Sequence, residues 1–176
     1  FVLCVAGLSV SLTLPPQALP SREYQVKAAF IFNFCQFVEW PAIAFENESS
    51  PLVIGILGKD PFGQYLDETA RDEEMNGHPL VVRRFENIEE ITTCHVLFIN
   101  VTEKNKLKTV LDSLKSRHIL TVGDTESFVR QGGIVRFFLE EGKIRIRINL
   151  EAAKTAELTI SSKLLRLADV INSENN

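Results

Sequence analysis

The sequence predicts an α/β domain with a largely parallel sheet that ends in an antiparallel hairpin. Short apolar runs of strand length alternate with amphipathic helical stretches through the middle of the chain, which is typical of parallel strands joined by helices. Near the carboxyl end, two strand-like runs at 134–139 and 143–149 are separated by a loop too short for anything but an antiparallel hairpin. At 176 residues the chain is long enough to bury one full core.

The first element is a strongly apolar helix predicted over residues 23–40, which Trp40-Pro41 ends because proline disfavours helical backbone in the residue before it. Two apolar stripes follow helical spacing. One consists of Val26, Phe30, Phe34 and Phe37, and the other of Ala28, Ile31, Phe32 and Cys35. A helix that is apolar on two sides must be covered on two sides. We therefore expect the first stripe to pack on the sheet and the second to face another subunit or partner.

The remaining elements follow from the same patterns. Continuous apolar runs, expected of strands buried on both faces, predict strands at 52–57, 80–85, 95–99 and 119–122. Helices are predicted at 62–71, 104–116 and 126–130, and residues 75–79 form a loop. After the hairpin, two more helices are predicted at 150–155 and 161–171. The hairpin is therefore expected to form the antiparallel edge of the sheet.

The first twenty residues differ from the rest because they carry no charge. An apolar run at 1–14, closed by Pro15-Pro16, predicts the remnant of a signal peptide whose first residues are missing, with a first core strand or helix as the alternative. Residues 21–171 then form the domain, and 172–176 a disordered tail. No later segment approaches the roughly 20 apolar residues of a membrane span.

Two cysteines, Cys35 and Cys94, follow the predicted leader. In an oxidising compartment they could form a disulfide, which would stabilise the fold by about 4 kcal/mol in the chain-entropy model. They could equally be two buried thiols that behave as small hydrophobic groups. The sequence leaves both possibilities open.

The sequence offers no catalytic, cofactor or metal motif, and we expect the chain not to be an enzyme. Its formal net charge of -4 disfavours nucleic acid as a partner. The segment Gly55-Ile-Leu-Gly58-Lys59 matches neither the dinucleotide fingerprint nor the phosphate-binding loop and is interpreted as a turn. The histidines, His78, His95 and His118, lie too far apart in sequence for a metal-spaced cluster.

Two acidic residues, Asp60 and Asp124, each follow a predicted strand. Two carboxylates at the carboxyl edge of a sheet could hold a metal or act as acid and base, whereas more often such residues cap the next helix.

One strand of the hairpin is predicted to be basic on one face. Lys143, Arg145 and Arg147 alternate with isoleucines, so the cations share a face. They could belong to a solvated edge strand whose charges block unwanted pairing. They could instead form a patch for an anion or an acidic partner, because they create a local positive field on an acidic protein.

Three segments together resemble the YfiR family of secreted bacterial proteins. The first is Tyr24-x-x-Lys27-Ala-Ala-Phe30-x-x-Asn33-Phe34-x-x-Phe37-Val-Glu-Trp-Pro41. The second joins Gly132-Gly133-x-x-x-Phe137 to Ile148-Asn149-Leu150-x-Ala152-Ala153, and the third is Ile160-Ser-Ser-Lys-Leu-Leu-Arg-Leu-Ala168. The resemblance covers about residues 22–171.

This resemblance implies a Rossmann-like α/β domain, with helices on both faces of the sheet, that forms a homodimer in the periplasm. It implies a regulator that binds the periplasmic domain of an inner-membrane diguanylate cyclase or kinase and holds it inactive, which affects cyclic-di-GMP and biofilm formation. An outer-membrane, peptidoglycan-associated lipoprotein can sequester such a regulator. The family resemblance also implies disulfides, of which this chain could form at most Cys35–Cys94.

Two other hypotheses remain beside this one. The chain could be a periplasmic small-molecule sensor that feeds a sensor kinase, with its ligand near residues 58–60 or on the basic hairpin. It could also be an enzyme that uses Asp60 or Asp124.

Overall fold

The computed structural model describes residues 20–172. In chain order the elements are α1 (Arg22–Phe37), β1 (Val38–Glu39), β2 (Leu52–Gly58), α2 (Gln64–Ala70), β3 (Glu74–Met75), β4 (His78–Phe85), β5 (Val96–Asn100), α3 (Lys104–Leu114), β6 (Leu120–Gly123), β7 (Val135–Glu140), β8 (Lys143–Asn149), α4 (Leu150–Thr155), β9 (Thr159–Ile160), α5 (Ser162–Leu165) and β10 (Ala168–Ile171). Short 3-10 helices lie at Ala42–Ala44, Ile88–Glu90 and Val129–Gln131.

One sheet organises the domain, with strand order β10-β8-β7-β6-β5-β2-β4-β3. The five adjacent strands β4, β2, β5, β6 and β7 are parallel to one another, while β7 and β8 form the antiparallel hairpin. A separate two-stranded pair joins β1 to β9. The predicted mixed α/β domain, with a largely parallel sheet and a late hairpin, is therefore confirmed.

Two hydrophobic clusters lie on opposite faces of this sheet. Consecutive strand residues alternate between them: Ile56 and Phe98 belong to one cluster, and their neighbours Leu57 and Leu97 to the other. The first cluster contains buried residues of α1, α2, α4 and α5, and the second contains those of α3. The sheet is thus covered by helices on both faces where its central strands lie.

The last predicted helix, 161–171, is wrong beyond its first turn. α5 has only four residues, and residues 168–171 form β10, which pairs parallel to β8 with Ala168 opposite Ile146. The outer side of β8 has free backbone N–H and C=O groups, and β10 forms hydrogen bonds with them. The sequence pattern of residues 161–171 does not reveal this pairing, because β8 is remote from them. The hairpin is consequently not the edge of the sheet, because β10 lies outside it.

The predicted helix at 126–130 is also wrong, since the only helical turn there is the 3-10 helix at Val129–Gln131. Glycines on either side of this segment make room for the fully buried ring of Phe128. A Cβ atom on Gly123 or Gly133 would lie 2.4 or 2.2 Å from that ring. The ring therefore fills the space that two missing side chains leave, and packing sets the conformation of this segment.

Helix α1 ends three residues before the predicted position, at Phe37. Val38 and Glu39 adopt extended backbone and pair with β9, and the Trp40 indole N–H donates to the His95 carbonyl oxygen at 3.2 Å. Pairing with the distant strand β9 therefore ends the helix before Pro41 can restrict the backbone of Trp40.

Candidate binding surface

The basic residues of the hairpin lie on a sheet face that the second core cluster does not reach. In the described part of the chain, that cluster contains no residue of β7 or β8. Residues opposite each other in register share a face, so Arg136 lies beside Arg147, Phe138 beside Arg145, and Asp169 of β10 beside Arg147. The side chains of Phe137, Ile146 and Ile148 point the other way, into the first cluster. We call the surface formed by Arg136, Phe138, Lys143, Arg145 and Arg147 the arginine face.

The predicted basic residues do come together here, with part of their charge compensated. Arg147 donates through Nε to Asp169 at 2.6 Å, and Arg145 lies 3.3 Å from Glu140. Lys143 is exposed and forms no salt bridge within residues 20–172. The structure alters both interpretations of the sequence. The solvated edge strand does not apply, because β10 pairs with β8, and the patch for an anion or acidic partner is not purely cationic.

An aromatic ring sits among these cations. The guanidinium carbons of Arg147 and Arg136 lie 5.1 and 5.8 Å from the ring centroid of the half-buried Phe138. A guanidinium this close to an aromatic face is attracted by about 0.5–1 kcal/mol at an exposed site. The ring therefore holds two planar cations in place on a surface that remains accessible.

Arg136 is the member of this surface that the sequence analysis missed. Its Nε is buried and donates no hydrogen bond to any residue of the described chain. Burial lowers the pKa of its guanidinium, and repulsion from Arg147 lowers it further, while Glu126 and Asp124 oppose both effects. An unmet buried donor costs about 1–3 kcal/mol, so this position carries a local penalty in stability. The sequence signal that could have identified Arg136 is that it is the single charged residue inside the apolar run 134–139.

A buried ion network adjoins this surface. Lys27 of α1 is only 2% exposed, and its Nζ contacts Asp124 at 2.9 Å and Glu23 at 2.6 Å. Its ammonium also lies 4.4 Å from the ring centroid of Tyr24, whose hydroxyl donates to Asp124 at 3.3 Å. Asp124 at the end of β6 thus anchors α1 to the sheet.

Asp60, the other acidic residue singled out, stabilises the turn before α2 and forms an ion pair, whereas the N-cap of α2 is Gly63 and no side chain caps that helix. Its Oδ1 accepts from the backbone N–H of Phe62 at 2.7 Å and of Gly63 at 3.2 Å, and its Oδ2 pairs with Arg84 at 2.8 Å. Asp60 and Asp124 are therefore each bound by a cation of their own. Within residues 20–172, no group of three His, Cys, Asp or Glu side chains could hold a metal ion.

The predicted interface stripe on α1 is wrong for three of its four residues. Ala28, Ile31 and Cys35 are fully buried within the chain, and only Phe32 is half-buried. In the other stripe, Phe34 is fully buried and stacks on Phe137 at 5.9 Å, whereas Val26 is 39% exposed. The helix is rotated so that the side containing the ion-paired Lys27 faces inward.

The possible disulfide between Cys35 and Cys94 is not formed. Both thiols are free and buried, and they belong to the clusters on opposite faces of the sheet. Burial raises the pKa of each thiol to about 12. Both therefore behave as small hydrophobic groups, the second of the two alternatives left open by the sequence.

The turn at Gly58 has a structural explanation. Its φ of +90° lies in the left-handed region, and a Cβ there would lie 2.7 Å from the Asn100 carbonyl oxygen. A cavity of about 440 Å³ opens beside it, with Glu86, Glu89 and Glu103 among its lining residues. Its acidic wall is poorly suited to an anionic ligand.

The chain is a mixed α/β domain with an accessible arginine face and a helix anchored by buried ions. Comparison with known protein families identifies the family to which the chain belongs. The YfiR/HmsC-like family model matches residues 24–169, and the chain belongs to that family. Its proteins are periplasmic and regulatory rather than catalytic. No curated protein matches the chain significantly. In the described range, no helix is both long and apolar enough to cross a membrane.

Proposed function

We propose that this protein is a periplasmic regulator that represses a membrane-bound diguanylate cyclase by binding its periplasmic sensor domain. Repression would lower cyclic-di-GMP and restrain biofilm formation. Membership of the YfiR/HmsC-like family supports a regulatory role, and the arginine face is the single observation that supports a specific docking surface.

The arginine face has the properties of a protein-docking surface. Arginine and aromatic side chains are enriched among the residues that dominate binding energy at interfaces. Here Phe138 orients Arg136 and Arg147, while Lys143 and Arg145 extend the positive field toward solvent. The partner surface that fits is acidic, because carboxylates would pair with these cations.

Two further associations rest on the family alone, and one feature of the fold rests on strand order. We propose a homodimer and capture by an outer-membrane, peptidoglycan-associated lipoprotein as further associations. We also propose that the domain is Rossmann-like, since the order of its parallel strands, β4-β2-β5-β6-β7, is that of doubly wound sheets.

The test is the affinity of the purified chain for the isolated periplasmic domain of an inner-membrane diguanylate cyclase, measured by titration calorimetry. Lys143→Glu combined with Arg145→Glu should raise Kd at least about tenfold, because like charges would then face an acidic partner. The affinity of the parent protein should also fall with added salt.

The matched control is Arg71→Glu, an exposed arginine after α2 at the other end of the sheet. It reverses one surface charge where the double variant reverses two, and it should leave Kd within about twofold. Equal affinity of the folded double variant and the parent would exclude the arginine face. Absence of binding by the parent would contradict the proposed function itself.

A further inference from the structure

A second group of basic residues lies at the amino ends of the parallel strands, where β2, β5 and β6 begin. A cavity of about 410 Å³ opens there between the loop around residues 43–51 and the segments that lead into β5 and β6. This volume falls in the range of small-molecule sites. We call it the amino-end cavity. It lies outside the arginine face, so it is independent of the function proposed above.

Two arginines, Arg83 and Arg117, line this cavity. Arg83 forms no salt bridge or side-chain hydrogen bond with any residue between 20 and 172, in contrast to Arg84, Arg145 and Arg147, which pair with carboxylates. Arg117 donates through Nη2 to the Ile91 carbonyl oxygen at 2.5 Å, which fixes its guanidinium without neutralising it. Both cations lie near the Cys94 thiol. Burial raises the pKa of that thiol, and the positive charges of Arg117 and Arg83 partly oppose this increase.

Neutral hydrogen-bonding groups line the cavity together with the two arginines. Thr92 and Thr93 also line the cavity, and their hydroxyls form no hydrogen bond with other described residues. Glu46 is the one acidic side chain among the lining residues of the described chain. Guanidinium and hydroxyl groups together are the usual donors to carboxylate and phosphate oxygens.

His95 forms a rigid part of the wall and does not contribute a cation. Its Nδ1 accepts from the Val53 N–H at 3.0 Å, and its Nε2–H donates to the Ala44 carbonyl oxygen at 3.0 Å. Burial lowers its pKa to about 4, so the ring is neutral at physiological pH. Phe45 stacks on this ring at 4.3 Å and on His78 at 3.9 Å, which ties the covering loop to the sheet.

One apolar residue at the cavity belongs to neither hydrophobic cluster of the described residues. Ile43, in the covering loop, lines the cavity and is 80% exposed. A ligand with an apolar part would cover it, while its anionic group would approach the arginines.

We propose that the amino-end cavity binds a small organic anion, with its carboxylate or phosphate group between Arg83 and Arg117 and its apolar part against Ile43. The two anionic groups share one chemistry at this site, and separate probes distinguish them.

Trp40 provides a direct assay, because it is the single tryptophan of the chain and its indole N–H donates to the His95 carbonyl oxygen beside the cavity. Benzoate and inorganic phosphate are titrated separately at constant ionic strength, following Trp40 fluorescence and, independently, the heat of binding. A saturable response to benzoate indicates an organic carboxylate, and one to phosphate a phosphorylated ligand.

Arg83→Gln combined with Arg117→Gln should weaken that binding at least about tenfold. The control Lys106→Gln, an exposed cation on α3, should bind as the parent does. Lack of saturation by both probes up to about 10 mM would overturn the proposal, as would equal binding by the folded arginine variant.

Discussion

Replacing Lys27 by methionine should destabilise the protein more than any surface lysine substitution. Methionine preserves most of the aliphatic side chain and removes the ammonium that contacts Glu23 and Asp124. Breaking a buried ion pair by removing one partner costs about 3–5 kcal/mol, because the remaining charge is left without compensation. Here the carboxylates keep 39% and 28% of their side-chain surface exposed, so water partly solvates them. We therefore expect a loss of about 2–3 kcal/mol.

Urea unfolding followed by circular dichroism measures this loss, and thermal unfolding should show a decrease of about 4–12 °C in Tm. Lys106→Met, on the exposed side of α3, is the matched control and should stay within about 0.5 kcal/mol of the parent. Asp124→Asn and the double variant complete a cycle that should give a coupling free energy of about 1–3 kcal/mol between Lys27 and Asp124.

The pH dependence of this contribution has a definite sign. Burial by itself lowers the Lys27 pKa, but hydrogen bonds to Glu23 and Asp124 outweigh burial and raise it above the ordinary 10.5. A group whose pKa is higher in the folded state stabilises fully below its unfolded pKa. The Lys27 contribution should therefore persist at neutral pH and disappear only as pH rises through the folded pKa. An unfolding free energy of Lys27→Met within about 0.5 kcal/mol of the parent would refute the argument.

Two further predictions concern the thiols and the oligomer. Because burial raises the pKa of Cys35 and Cys94 to about 12, iodoacetamide at about pH 8 should label neither thiol in the native protein and both after denaturation, as mass spectrometry can show. Rapid native labelling, or a Cys35–Cys94 disulfide in the native protein, would contradict this. If the proposed homodimer uses the outward side of α1, Phe32→Glu should yield a monomer by light scattering, while Lys104→Glu on α3 should leave the dimer intact. Val26→Glu, at an exposed position of α1, serves if Phe32→Glu does not fold, and an unchanged dimer in the folded variants would exclude this side of α1.

The central elements could be predicted because their signals are local. The run 52–57 corresponds to β2 at Leu52–Gly58, and the hairpin runs correspond to β7 and β8 within a residue at each end. An uninterrupted apolar run needs burial on both faces wherever it lies, and a short loop between two such runs leaves one pairing open. The basic side of β8 followed equally directly from alternation along a strand.

The sequence by itself thus determined the class of fold and the face on which the hairpin cations lie. Tertiary structure decided the identity of β10, the rotation of α1 and the place of Arg136, because each depends on partners remote in sequence. β10 is a strand since β8 had a free edge, and Lys27 faces inward since Asp124, 97 residues away, meets it. Helical periodicity alone would keep a lysine in solvent. A buried ion pair reverses that preference only when the fold brings both charges together.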